Sequence, residues 1–253
     1  MNNFLKVTIV FFVYFGSTAN ASIKINSMIA FAENNTTEFT ITNDDDYRQF
    51  INVQIREIKI SEQGKLVKIP YTRENIDVWS VSSTPARGIV EPNAMKVFRV
   101  KYEPLPSHDD NRDKIYQVSF IPTPYLGEGE SLNNSVQIAV GFSPFFIVPS
   151  KTDQPLSYEV RHNGKAITIH NSGKSYIRAA FEGCENDVLK READACKKTA
   201  YILSGRQVDI SLPESMQKGL TVKLSTHNFK YEHEFEIDAE KVDKSSSNSI
   251  RKG

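Results

Sequence analysis

The chain has 253 residues, with 31 basic and 31 acidic side chains and a formal charge of zero. That balance offers no basic surface for a nucleic-acid partner, and the supply of aromatic and β-branched residues excludes a disordered chain. The sequence has no Gly-x-Ser-x-Gly elbow, no His-Glu-x-x-His pair and no phosphate-binding Gly-rich loop followed by Lys-Ser/Thr. No enzyme, cofactor or metal chemistry is therefore expected.

Residues 1–21 read as a secretory signal peptide. Lys6 supplies a positive start, and the apolar run 7–15 is too short to span a bilayer comfortably. Ala19-Asn20-Ala21 then forms a small-x-small cleavage site. The mature chain would begin near Ser22 and be exported. At about 230 residues it has room for two domains of about 110.

Most of the mature chain alternates at period two. Ile51, Val53 and Ile55 share one strand face, and Asn52, Gln54 and Arg56 share the other. From Trp79 onward, strand-like runs alternate with corners marked by Pro85 and Pro92. Phe98, Val100 and Tyr102 alternate with Arg99 and Lys101, and Tyr116, Val118 and Phe120 with Gln117 and Ser119. Val136, Ile138, Val140 and Phe142 alternate with Gln137, Ala139 and Gly141, after a polar loop at 127–134. This last run fits two arrangements. It is a core strand with its large side chains inward, or a strand whose large side chains fill a groove in another protein.

Pro149 marks a boundary, with 151–155 as linker. Leu156, Tyr158 and Val160, and later Tyr231, His233, Phe235 and Ile237, repeat the alternation. Turn signals such as Gln63-Gly64, Asn163-Gly164 and Ser204-Gly205 punctuate the runs. The expected fold class is all-β, with two immunoglobulin-like β-sandwich domains at 22–148 and 149–241. One or two helical turns are expected within 188–195, and a mobile tail over 242–253.

Cys184 and Cys196 are the two cysteines. In an exported chain a lone pair reads as a disulfide, here closing the loop 185–195 with a stabilisation of roughly 3 kcal/mol. The five histidines are His108, His162, His170, His227 and His233. They read as packed or solvated strand residues rather than metal ligands, including His233 between Glu232 and Glu234.

The order of elements resembles the periplasmic pilus-assembly chaperones of the chaperone–usher pathway. The resemblance rests on Thr84-Pro85, Ile89-Val90-Glu91-Pro92, Phe98-Arg99-Val100, the run from Asp110 to Tyr116, Phe120-Ile121-Pro122, and the strand ending at Asn171. Ala180 to Cys184, Cys196-Lys197-Lys198 and Tyr201-Ile202-Leu203 resemble the alternate (alpha) branch that serves colonisation-factor and common-pilus systems.

This resemblance implies a periplasmic chaperone of a Gram-negative bacterium, with no cofactor. It would bind pilin subunits through a donor strand carrying Val136, Ile138, Val140 and Phe142, and deliver them to an outer-membrane usher. Burying four such side chains is worth roughly 1.5–3 kcal/mol each before ordering costs. When free, the same strand could pair two copies of the chaperone. The other reading of the sequence is an exported Ig-like structural or adhesive surface protein without a transient client.

The resemblance fails at one point. Its best-known members hold the pilin's terminal carboxylate with an Arg on the first strand and a Lys on the donor strand. Here the first position falls at Met28 and the second at Phe145, or at Ser143 to Pro144 with small shifts, none of them basic. Lys24 and Arg112, with Arg48, are the candidate replacements.

Overall fold

The computed structural model describes residues 22–126, 140–183 and 196–244. The signal-like segment 1–21, the loop 127–134, Val136, Ile138, Cys184, the segment 188–195 and residues 245–253 lie outside the described residues.

The first half supplies β1 (Ile23–Ile25), β2 (Ile29–Phe31), β3 (Thr36–Asn43), β4 (Gln49–Ile60) and β5 (Leu66–Pro70). After a 3-10 turn come β6 (Val81–Thr84), β7 (Arg87–Val90), β8 (Met95–Tyr102), β9 (Lys114–Pro124) and β10 (Phe145–Val148). One sheet runs β1-β3-β8-β6 and the facing sheet β2-β10-β9-β4-β5, with β7 also against β4. Only the β2–β10 pairing among these is parallel.

The second half supplies β11 (Tyr158–His162), β12 (Ala166–Asn171), β13 (Ile177–Glu182) and β14 (Lys197–Ile202). It continues with β15 (Gln207–Ser211), β16 (Gly219–Ser225), β17 (Glu232–Asp238) and β18 (Lys241–Lys244). These form the sheets β15-β12-β11-β18 and β14-β13-β16-β17. The chain is thus all-β, built as two sandwiches.

The alternation in the sequence becomes burial. Phe98, Val100 and Tyr102 are buried while Arg99 and Lys101 are exposed. Phe39 and Phe98 each meet Phe120 edge-on, with centroids 5.5 and 5.3 Å away, a geometry that aromatic quadrupoles favour. A second core gathers Tyr158, Val160, Ile167, Ile169, Phe181 and Val222. Buried Asn43 and Asn171 play matching parts in the two sandwiches. The Asn43 amide donates to Tyr47 O and Val90 O, and the Asn171 amide to Ser175 O and Ile202 O. Each satisfies loop carbonyls that burial would otherwise leave unpaired.

Strand β9 departs from simple alternation. Gln117 and Ser119 are buried as well as Tyr116, Val118 and Phe120. A central strand has neighbours on both edges, and here its outer face is also covered, by side chains of β4 and of the segment before β10.

A third apolar cluster joins the halves. Ile58, Ile115 and Ile147 meet Tyr176 and Leu203, with Phe31 and Phe145 against them. Phe31 lies 4.8 Å from Tyr176, centroid to centroid. At its edge sits the buried carboxylate of Asp113. It accepts from Ser150 N at 2.8 Å and Tyr176 N at 2.6 Å, and its own N–H donates to Lys174 O at 3.3 Å. Lys151 pairs with Asp110 at 2.6 Å, and Arg206 donates to Gly64 O at 2.8 Å.

Two expectations change here. The segment 151–155 is not a loose linker: Asp153 is buried and accepts from Asn228 N, Lys230 N and the Thr226 hydroxyl. The tail expected to be mobile from Val242 instead continues as β18, with Val242 opposite Arg161 and Lys244 opposite Glu159. Its polar composition suits an edge strand, whose outer groups face water.

Burial raises the Asp113 carboxyl above the usual aspartate range, against the lowering effect of its two backbone donors. Above the ordinary aspartate value the folded chain therefore holds a proton that the unfolded chain has released. Stability should fall as pH rises through that window. Asp113→Asn, which cannot titrate, should flatten this slope in urea denaturation across pH. Asp113→Ala leaves two buried N–H groups unpaired and should cost about 1–3 kcal/mol for each.

Candidate functional site

The described part of the apolar run begins at Val140 and leads into the sheet at Phe142. Phe142 N donates to Phe120 O at 3.1 Å, and Phe120 N donates to Phe142 O at 2.7 Å. Directly opposed residues of an antiparallel pair project to the same face. Phe120 is fully buried, and Phe142 packs on the same core beside it. The ladder with β9 aims Phe142 inward.

Gly141 explains how the chain comes so close. A Cβ there would lie 2.6 Å from Phe120 O, so this approach needs glycine. Among the described residues Val140, one residue earlier, has no strand partner, and it is 45% exposed. Val136 and Ile138 lie outside the described residues.

The two positions that are basic in the resembling family come together. Phe145 N donates to Met28 O at 3.0 Å. Neither side chain carries charge, and the Phe145 ring joins the apolar cluster between the sandwiches.

The candidate replacements are engaged elsewhere. Lys24 lies in the other sheet and pairs with Asp44 at 2.6 Å. Arg48 pairs with Glu91 at 3.0 Å. Arg112 reaches Ser204 across the junction at 3.3 Å and lines a cavity of about 490 Å³ with Glu57, Lys59, His108 and Lys114.

A different basic residue shares the face of Phe145. In the sheet register Phe145 opposes Gln117, and Gln117 opposes Arg56. The three lie in one row, with Arg56 two strand spacings, roughly 10 Å, from Phe145. The Arg56 guanidinium donates to Ser119 Oγ at 2.9 Å and to Gln54 Oε1 at 3.2 Å. Ser143 Oγ donates to the same Ser119 Oγ at 2.9 Å. A polar patch thus borders the residue that follows Phe142. The signal was present in the sequence as the polar face Asn52, Gln54 and Arg56; strand order was needed to carry it to the run ending at Phe142.

Among the described residues no group of three or more His, Cys, Asp or Glu side chains is placed to hold a metal. His233 bonds the Tyr158 hydroxyl, and that hydroxyl donates to Asp243 at 2.9 Å. His227 Nδ1 lies 2.7 Å from the Tyr176 hydroxyl. Both histidines sit among packed aromatic rings.

Residues 25–149, the first sandwich, match the family described as the CS5 fimbrial protein N-terminal domain. Among curated protein sequences there is no match. Solved structures share the fold across both sandwiches. The class 5 fimbriae chaperone CfaA is 16% identical, with 86% of this chain and 98% of that one covered, at a TM-score of 0.51. A structure of the Salmonella enterica SafA pilin in complex with the SafB chaperone is 13% identical, covering 88% and 98%, at 0.50. The E. coli chaperone DraB is 14% identical, covering 87% and 97%, at 0.50. The first sandwich thus matches the CS5 fimbrial protein N-terminal domain, and the two sandwiches together share the fold of solved pilus chaperones.

Proposed function

We propose that this protein is a periplasmic chaperone that captures pilus subunits by lending them a β-strand and passes them to an outer-membrane usher. The observation that carries the reading is the split apolar run. Phe142 packs on the core, while Val140, one step of the alternation earlier, is exposed. A strand held at one end, with an apolar side chain exposed along it, can offer main-chain groups to a partner, with alternate side chains setting register. The structure of SafB with the SafA pilin gives a likeness of fold for such a complex. Export through residues 1–21 fits a periplasmic site of action.

No cofactor enters the reading, because strand exchange needs only a better-fitting competitor strand. When free, the same strand would pair two copies of the chain. A Cys184–Cys196 disulfide belongs to the proposal too. Gly183 N donates to Cys196 O at 3.1 Å, which brings the residue before Cys184 opposite Cys196.

Co-expression with neighbouring subunit genes, followed by affinity purification from the periplasm and mass spectrometry, should recover a one-to-one complex with a small pilin. Ile138→Asp and Val140→Asp should abolish that complex. A chain that emerges alone despite subunit expression would overturn the reading. Thermal unfolding separates the two ends of the run. Val140→Asp should leave the midpoint of the free chaperone unchanged, whereas Phe142→Asp should lower it by burying an unpaired charge.

A further inference from the structure

The edge of β4 that faces away from β9 is covered in two pieces. β7 pairs with it at residues 49–52 and β5 at residues 56–60. Between the two ladders Val53 N donates to Ala86 O at 3.0 Å, and Tyr71 N donates to Ile55 O at 3.1 Å. A groove of about 560 Å³ lies along this interval.

One wall of the groove is a pair of stacked rings. Tyr71 and Trp79 lie 5.2 Å apart, centroid to centroid, with 6° between their planes. Trp79 follows the 3-10 turn Arg73–Val78, and that turn holds its ring. Trp79 Nε1 donates to Asn75 Oδ1 at 2.9 Å, and the same oxygen accepts from Thr72 N at 2.8 Å. The Asn75 amide donates to Pro70 O at 2.9 Å. The Tyr71 hydroxyl accepts from Ser80 N at 2.9 Å. Both rings are therefore positioned before anything binds, yet Trp79 stays 39% exposed. So large an apolar surface left in water is available for burial by a ligand.

Beside the rings the groove is polar. Asn52, Ser82 and Arg87 line it, and no carboxylate does. Among the described residues these three side chains engage no hydrogen bond or ion pair. Their donors and acceptors are unspent. An apolar occupant would strand them, and a simple anion would leave the stacked rings unused. A pyranose uses both: the C–H groups of one sugar face pack on an aromatic wall, while hydroxyls at its rim donate and accept.

We propose that this groove binds a saccharide, with one pyranose against Trp79 and its hydroxyls on Asn52, Ser82 and Arg87. The volume lies within the ordinary range of small-ligand sites. The groove sits on the opposite edge of β4 from β9, so the inference stands apart from strand lending.

Trp79 is the single tryptophan of the chain, and its fluorescence therefore reads the groove directly. An array of oligosaccharides probed with the purified chain selects the ligand. Titration with the selected oligosaccharide should give a saturable change in tryptophan emission. By calorimetry Trp79→Ala should lower its affinity at least about tenfold, and Asn52→Ala about threefold or more. Trp79→Phe, which keeps a flat ring, should retain part of the affinity. Each variant is first compared with the wild type by its unfolding midpoint. Should Trp79→Ala fail to fold, Trp79→Phe and Asn52→Ala decide the matter. An array that retains no saccharide overturns the proposal. So does binding that leaves the emission unchanged, or that keeps wild-type affinity in the folded variants. Binding confined to acidic saccharides and abolished by salt would assign the groove to an anion on Arg87 and overturn the stacking site.

Discussion

The constraint on which the first sandwich depends is that β9 must be satisfied on both faces and both edges at once. Its inward side chains, Tyr116, Val118 and Phe120, are fully buried and build the core. Its outward side chains, Ile115, Gln117 and Ser119, line the face toward the second sandwich or contact the polar patch. One edge is closed by β4 over nearly its whole length. The other is closed by β10 and, among the described residues, beyond it by the rung at Phe142.

The residue preceding β9 carries the constraint into the second sandwich. Asp113 takes backbone donors from Ser150 and Tyr176, so the two halves share one buried carboxylate. Around it Ile58, Ile115 and Ile147 pack on Tyr176 and Leu203. Burying a carboxylate is costly unless its oxygens are filled, so the junction tolerates little sliding.

On the outer face of β9 and β4 charge and apolarity are separated. The positions nearest β2 and β10 are apolar: Phe145 is packed into the junction, and Met28 beside it is half exposed. Charge appears two strands away at Arg56, in the same row. Between them Gln117 and Ser119 hold a neutral hydrogen-bonded strip.

Period-two alternation in the sequence determined the class of fold, because a strand half-buried in a sandwich imposes that period on any chain that adopts it. It determined the inward faces of β8 and β9, the polar face of β4 and the apolar run ending at Phe142. Alternation says that Phe142 and Val140 lie on one side; it does not say whether that side is a core or a partner. The tertiary structure adds that Phe142 lies opposite Phe120 and packs on the core beside it. The same holds for Arg56. Its neighbours Ser119 and Ser143 are 63 residues and more away in the chain, and strand order, a property of the folded sheet, brings them together. The segment from Val242 resembles a disordered end in composition for a related reason: an edge strand facing water is equally polar, and its pairing with β11 exists only once the second sandwich has formed.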